Sequence, residues 1–151
     1  MHPYRNFLLM VLTGSALMFG LMYLNVFRLS HVWFSQTRLF MACIMAGAMA
    51  LVMLGFMRHM YRDRRANLAI VAGSVALMAL GFALVRSQAT VGDVAWMKAM
   101  IPHHSIAVLT SERARLRDPR VRKLADRIVE TQRREIAEME GLIEDIERAR
   151  D

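Results

Sequence analysis

Two methionines and two histidines stand close together near position 100, and their side chains are of the kinds that hold soft metal ions. Met97, Met100, His103 and His104 form the pattern M-x-x-M-x-x-H-H, which spans about two turns of a helix. Thioether sulfur selects Cu(I) and similar ions, and imidazole suits copper and zinc. The pattern therefore predicts a soft-metal site for Cu(I), with silver as its surrogate, and no organic cofactor.

A second group of candidate residues lies further along the chain, where the sequence predicts a long helix. Met139 supplies a third sulfur, Glu135 lies in the middle of an apolar stripe, and Gln132 lies at the edge of that stripe. A lone buried carboxylate costs several kcal/mol, so Glu135 needs His103 or His104 as a partner. A carboxylate in that position would orient a metal-bound imidazole. The predicted stripe comprises Val121, Leu124, Ile128, Glu135, Met139, Leu142 and Ile146.

The same residues also permit an interpretation without metal. Met97, Met100 and Met139 are suited to an apolar core, and a His104–Glu135 ion pair could set the register of two helices. The alternative to a metal-binding protein is then a structural or interaction module, a membrane-tethered helical dimerisation domain. The sequence shows no phosphate loop, nucleophile elbow, HExxH or Glu-x-x-His motif, so we expect no enzyme.

Two helices must position these side chains. We predict a first helix over residues 94–116 with Asp93 as its N-cap, and a kink at Pro102 that could turn both histidines inward. The turn is expected at residues 117–119, with Asp118 as the next N-cap and Pro119 at the first helical position. The second helix then runs to near the end of the chain.

Three apolar stretches precede this hairpin. Residues 6–27, 39–57 and 66–85 lack charged side chains over 22, 19 and 20 residues, close to the roughly 20 residues that cross a bilayer as a helix. The chain is therefore predicted to be all-α, with a three-span membrane domain at 1–86 (spans about 7–27, 39–57 and 67–85). A linker at 87–92 and a soluble two-helix hairpin domain at 93–151 follow.

Arginine placement predicts the orientation of the spans. The second loop carries four arginines, the first loop carries two, and arginine-rich short loops remain in the cytoplasm. We therefore expect a multi-pass protein of a bacterial inner membrane, with its N-terminus cytoplasmic and its C-terminal domain periplasmic. The net charge of +7 belongs entirely to the first 92 residues, and the rest is formally neutral. A nucleic-acid partner is not expected.

The second span carries a methionine at every fourth position. The set is Met41, Met45, Met49, Met53 and Met57. These methionines could guide a soft metal ion along the span, or they could be flexible apolar side chains that pack against lipid or a neighbouring helix. Beside them lies a row of small residues suited to close helix contact, Ala42, Ala46 and Ala50. Cys43 is expected to be a small buried hydrophobe. A transporter ranks last, because the spans contain no acidic residue to couple ions.

The hairpin closely resembles the domain-of-unknown-function family 305. The resemblance covers about residues 93–147 and rests on the blocks M-x-x-M-I-P-H-H and Q-x-x-E-I-x-x-M in that order, separated by Asp118-Pro119. It implies a ferritin-like helical bundle outside the cytoplasm. It also implies copper or silver binding and tolerance, with methionine and histidine as ligands, as in some relatives.

Two features depart from that family pattern. Many relatives carry the motif pair twice, which gives four helices in one chain, whereas this sequence carries it once. A hairpin of 59 residues buries little core, so we predict a homodimer that completes a four-helix bundle. The three-span membrane domain is the second departure, and the family pattern does not explain its role.

Overall fold

The chain is all-α in a computed structural model, which describes residues 3–150. Five α-helices and one short 3-10 helix follow one another along the chain. They are α1 (Pro3–Leu21), the 3-10 helix (Leu29–His31), α2 (Gln36–Phe56), α3 (Arg64–Ser87), α4 (Asp93–Arg113) and α5 (Pro119–Arg148). By length and composition, α1, α2 and α3 are able to cross a membrane.

The chain divides into two compact units. The first, here the membrane unit, contains the chain up to Met22 together with Thr37–Thr90. The second, here the hairpin unit, contains Tyr23–Gln36 together with the chain from Val91 onward. The sequence placed residues 23–27 in the first span and residues 28–36 in the first loop of the membrane domain. In the structure α1 ends at Leu21, and Tyr23–Gln36 forms a loop that packs with the hairpin.

The apolar helices differ from the predicted spans by a few residues at each end. Helix α1 begins at Pro3 and includes Arg5, because a charge near a helix end does not stop the helix. Helix α3 begins at Arg64, since the Asp63 side chain accepts hydrogen bonds from the N–H groups of Arg65 and Ala66. Those bonds satisfy backbone donors that the first turn leaves unpaired.

Aromatic side chains tie the start of α1 to the loop between α2 and α3. The Tyr4 hydroxyl accepts from the Asp63 N–H and donates to Asn67 Oδ1, each at 3.0 Å. Tyr61 is buried in edge contact with Phe7, at 5.3 Å between ring centroids. The start of α1 and the α2–α3 loop therefore share one end of the membrane unit, as an up-and-down path requires.

Two glycines let α2 and α3 approach closely. A Cβ at Gly47 would lie 2.8 Å from the Ser74 carbonyl oxygen and 2.5 Å from Met78 Cγ. A Cβ at Gly81 would lie 3.0 Å from the Phe40 carbonyl oxygen. Small residues allow this backbone contact between helices in an apolar environment.

The methionine ladder of α2 contributes to apolar packing. Met49, Met53 and Met57 pack against the core cluster that contains Phe7, while Met41 is exposed. Cys43 is half-buried as a free thiol. This arrangement is the one expected of flexible apolar side chains that fill the space between helices.

The hairpin unit is built on antiparallel helices α4 and α5. Asp118 caps α5 by accepting from the Arg120 N–H at 2.8 Å, and Pro119 takes the first helical position, which confirms both predictions. The prediction for α4 was wrong by one residue at its start, because Gly92 is the N-cap and Asp93 is already helical. Helix α4 also ends early, at Arg113, and is assigned as one uninterrupted helix through Pro102.

The buried face of α5 differs from the predicted stripe. Of that stripe only Met139 is buried, whereas Val121, Leu124, Ile128 and Leu142 have 37% to 48% of their surface exposed. The reason is that α5 carries apolar residues over an arc wider than one neighbouring helix can cover. Periodicity locates such an arc but not the part that α4 covers. The buried side chains of α5 are Ala125, Val129, Ile136, Met139 and Ile143.

Candidate metal centre

Three side-chain pairs fix the register of the hairpin. Lys98 Nζ lies 2.6 Å from Glu147 Oε1, His104 Nδ1 lies 3.3 Å from Glu135 Oε2, and Arg133 bridges to Glu112. Position 104 of α4 therefore faces position 135 of α5. One turn away on each helix, position 100 faces position 139, because residues four apart share a helix face.

The three methionines of the predicted site come together in one apolar cluster. Met97 and Met139 are buried with Ile101, Ile136 and Ile143, and Met100 packs against the same cluster. Three thioethers from two helices thus occupy one core. This packing fits both interpretations, since an apolar core and a soft-metal site need the same methionine side chains.

His104 faces the acid that the sequence assigned to it. Its side chain is 14% exposed and that of Glu135 is 41% exposed, so the pair lies at the edge of the core rather than inside it. The two atoms are close enough for an ion pair, but the buried Nδ1 makes no hydrogen bond. The imidazole and the carboxylate are therefore neighbours without a hydrogen bond, because a hydrogen bond also needs good angles.

The His104 imidazole is held in its neutral form. Burial lowers the pKa of His104, the Glu135 carboxylate partly raises it, and His103 lowers it again. A neutral imidazole keeps a nitrogen lone pair available to a metal ion. The lowered pKa therefore favours His104 as a ligand at neutral pH.

The two histidines do not turn inward together. His103 is exposed, and its ring centroid lies 6.2 Å from that of His104. Because α4 continues through Pro102, neighbouring residues keep their usual separation of about 100° around the helix. Gln132 is half-buried on α5, three residues before Glu135.

The chemistry of the donors limits what this site can hold. Among residues 3–150, no group of three or more His, Cys, Asp and Glu side chains is arranged to hold a metal ion. The candidate site instead combines one imidazole with thioether sulfur, and sulfur ligands select soft ions.

The structure adds a histidine that the sequence did not connect with the hairpin. His31 is buried, and its Nδ1 lies 2.9 Å from Ser105 Oγ, which also accepts the Phe27 N–H at 2.7 Å. Ser105 is fully buried and immediately follows His104 on α4. Only the aromatic content of the loop, including Trp33 beneath the Lys98 ammonium at 4.9 Å, could have suggested this contact.

A cavity of about 200 Å³ lies beside His31. Arg28 and Arg133 line it together with Glu140. Burial lowers the pKa of His31, Glu140 partly raises it, and Arg28 lowers it further. His31 is therefore neutral at neutral pH, like His104.

We expect the hairpin unit to lose stability as the pH falls below about 6.5. Both His31 and His104 have lowered pKa values when folded, so the unfolded chain binds more protons in that range and acid favours it. The stability that the two neutral histidines contribute is fully present above about pH 6.5. The measurement is Trp33 fluorescence in a Trp96→Phe background, followed from about pH 8 to about pH 5.

The control for this titration is His31→Gln, which removes one titrating group from the loop contact. This variant should show a smaller change in Trp33 fluorescence over the same range. A hairpin unit that gains stability on acidification would contradict the assignment of neutral histidines.

The hairpin is similar to proteins of unknown function. Residues 83–150 match the family described as Domain of unknown function (DUF305). An uncharacterized protein of Acanthamoeba polyphaga mimivirus is 38% identical over 63 residues, which are 40% of this chain and 41% of that protein. This chain therefore spans less than half the length of that relative. No solved structure matches.

Proposed function

We propose that this chain is a membrane-anchored, extracytoplasmic protein that binds Cu(I) or Ag(I) for metal homeostasis or tolerance. The ligands are Met97, Met100, Met139 and His104, with Glu135 beside the imidazole. The single observation that carries the proposal is that Met97, Met100 and Met139 share one apolar cluster and that His104 follows Met100 by one helical turn. The resemblance to family 305 implies the same chemistry.

The donor set favours a monovalent soft ion. Thioether sulfur is polarizable and uncharged, so it binds Cu(I) better than it binds harder divalent ions. Methionine is unbranched and has three rotatable bonds, so buried sulfur atoms can turn toward an ion without movement of the backbone. The carboxylate of Glu135 would fix the tautomer of the bound His104.

The path of the chain supports the expected location. The loop at Tyr23–Gln36 belongs to the same compact unit as α4 and α5. If α2 and α3 cross the membrane, that loop and the hairpin lie on one side of it. The arginine-rich loop between α2 and α3 then lies on the opposite side, where the charge rule favours the cytoplasm.

A structural or interaction module is the second candidate function. It is favoured by the packing of Met97, Met100 and Met139 with isoleucines as an ordinary apolar core. In this alternative the His104–Glu135 pair only sets the register of the hairpin, and no metal is needed. The exposed apolar residues of α5 would then be the functional surface.

The test is a competition titration of the full chain in detergent micelles. Cu(I) is added without oxygen in the presence of a chromophoric Cu(I) chelator. We expect His104→Gln and Met100→Leu each to weaken binding at least about 10-fold, because each removes one of four ligands and loss of an outer-shell partner alone costs about 10- to 100-fold. Both substitutions approximately keep side-chain volume, and circular dichroism checks that the helices remain.

The matched control is His103→Gln, which changes the neighbouring exposed imidazole. Its affinity should equal that of the unchanged chain. Equal losses from the two histidine variants would contradict the ligand assignment. Binding too weak to compete with the chelator, or binding that survives loss of all three methionines, would favour the interaction module.

A further inference from the structure

We propose that a second copy of this chain docks on the exposed apolar stripe of α5, so that the two α5 helices pair in antiparallel orientation. This pairing goes beyond metal binding and does not require it. The exposed stripe is defined here as Val121, Leu124, Ile128 and Leu142. The half-buried Glu135 lies between them.

The exposed stripe is an apolar surface on an otherwise charged helix. Its four apolar side chains are each 37% to 48% exposed, and they repeat at intervals of three, four and fourteen residues. These intervals place them on one side of α5. Val121, Leu124 and Ile128 lie within two turns of each other, and Leu142 lies on the same side beyond Glu135. Apolar side chains exposed in this way on a charged helix mark an interaction site.

The opposite side of the hairpin is already occupied by the loop between α1 and α2. There the Phe27 N–H and His31 bind Ser105 of α4, and the cavity beside His31 is lined by Arg133 and Glu140 of α5. Position 133 lies about 140° around the helix from Ile128. One side of the hairpin therefore contacts the loop between α1 and α2, and the exposed stripe lies on the other side.

The charge pattern of α5 identifies a second copy as the partner. Residues 119–134 carry six basic and two acidic side chains, whereas residues 135–148 carry six acidic and one basic. Two such helices attract each other when antiparallel, since each positive half meets a negative half, and repel when parallel. A surface complementary to itself is what a two-fold symmetric dimer requires.

The sign of the charge changes between Arg134 and Glu135, which places the two-fold axis near that point. The two Glu135 carboxylates then approach each other, which alone would oppose pairing. Each carboxylate lies beside its own His104, at 3.3 Å. This one like-charge contact is set against the attraction between the opposite-sign halves along the rest of both helices.

The first test is the oligomeric state of the full chain in detergent, without added metal, by light scattering after size exclusion. We expect a dimer, and we expect Ile128→Glu to raise its dissociation constant at least 10-fold by placing a charge in the interface. Thr110→Glu is the control, because it adds the same charge at an exposed position of α4, outside the exposed stripe and outside the charge pattern of α5. A monomeric chain, or equal losses from the two variants, would overturn the proposal.

The second test measures orientation without disturbing the stripe. A spin label is attached to Arg120→Cys in a Cys43→Ser background, and the distance between two labels is measured by pulsed electron resonance. Position 120 is fifteen residues from the proposed axis, so antiparallel pairing predicts about 45 Å at 1.5 Å per residue. A distance below about 20 Å, expected for helices packed side by side in parallel, would overturn it.

These tests separate the pairing from metal binding because both use the metal-free chain. A dimer that fails to bind Cu(I) would overturn the proposed function alone. A monomer that binds Cu(I) would overturn the pairing alone.

Discussion

Replacing Gly47 with leucine should separate α2 from α3 and destabilise the membrane unit by about 3 kcal/mol, toward the upper end of the cost of overpacking a core. Even the first carbon of the new side chain would lie 2.8 Å from the Ser74 carbonyl oxygen. That atom belongs to the backbone of α3 and cannot move unless the helix moves. The measurement is the loss of helicity during titration with a denaturing detergent.

The same helix offers a matched control at Gly55. Nothing lies within 4 Å of a Cβ at that position, so Gly55→Leu adds the same atoms to open space. It should leave the unfolding midpoint nearly unchanged, apart from the small gain of replacing glycine in a helix. Equal midpoints for the two variants would contradict the close approach of α2 and α3.

Replacing Ser105 with alanine should release the loop at Tyr23–Gln36 from the hairpin. The substitution removes the acceptor of the Phe27 N–H and the partner of His31 Nδ1 at a fully buried position. Leaving a buried polar group unpaired costs about 1–3 kcal/mol. We expect a loss of about 2 kcal/mol, because the loop undocks before the full cost of two unpaired groups accumulates.

Hydrogen exchange at the Phe27 amide measures this release directly. Exchange should become at least 10-fold faster in Ser105→Ala, which corresponds to about 1.4 kcal/mol. Thr110→Ala is the control, since the Thr110 hydroxyl is exposed and bonds only to carbonyl groups of its own helix. Unchanged protection at Phe27 would show that Ser105 does not hold the loop.

A docked loop changes how the candidate metal centre can work. Ser105 follows His104 directly, and both lie on α4 between the loop and α5. Movement of the loop and rotation of the His104 ring therefore involve the same helical turn. Both histidines have a pKa below the usual value, so acid should weaken the loop contact and should also weaken metal binding.

Much of the architecture follows from the sequence. Three apolar stretches of sufficient length predict the three helices that are able to cross a membrane, because their composition is a local property. Asp118 and Pro119 predict the start of α5 for the same reason, since capping involves only residues within one turn. The pairing of His104 with Glu135 was one of two pairings that the sequence allowed.

Tertiary packing decided the rest. The sequence could not choose which edge of the apolar arc of α5 is buried, because that depends on where α4 lies. It could not show that His104 faces α5 while His103 is exposed, because a kink at Pro102 would change the direction of both side chains. The sequence also did not predict the contact between His31 and Ser105, which lie 74 residues apart. Periodicity and capping describe neighbours in sequence, whereas burial depends on contacts between distant segments.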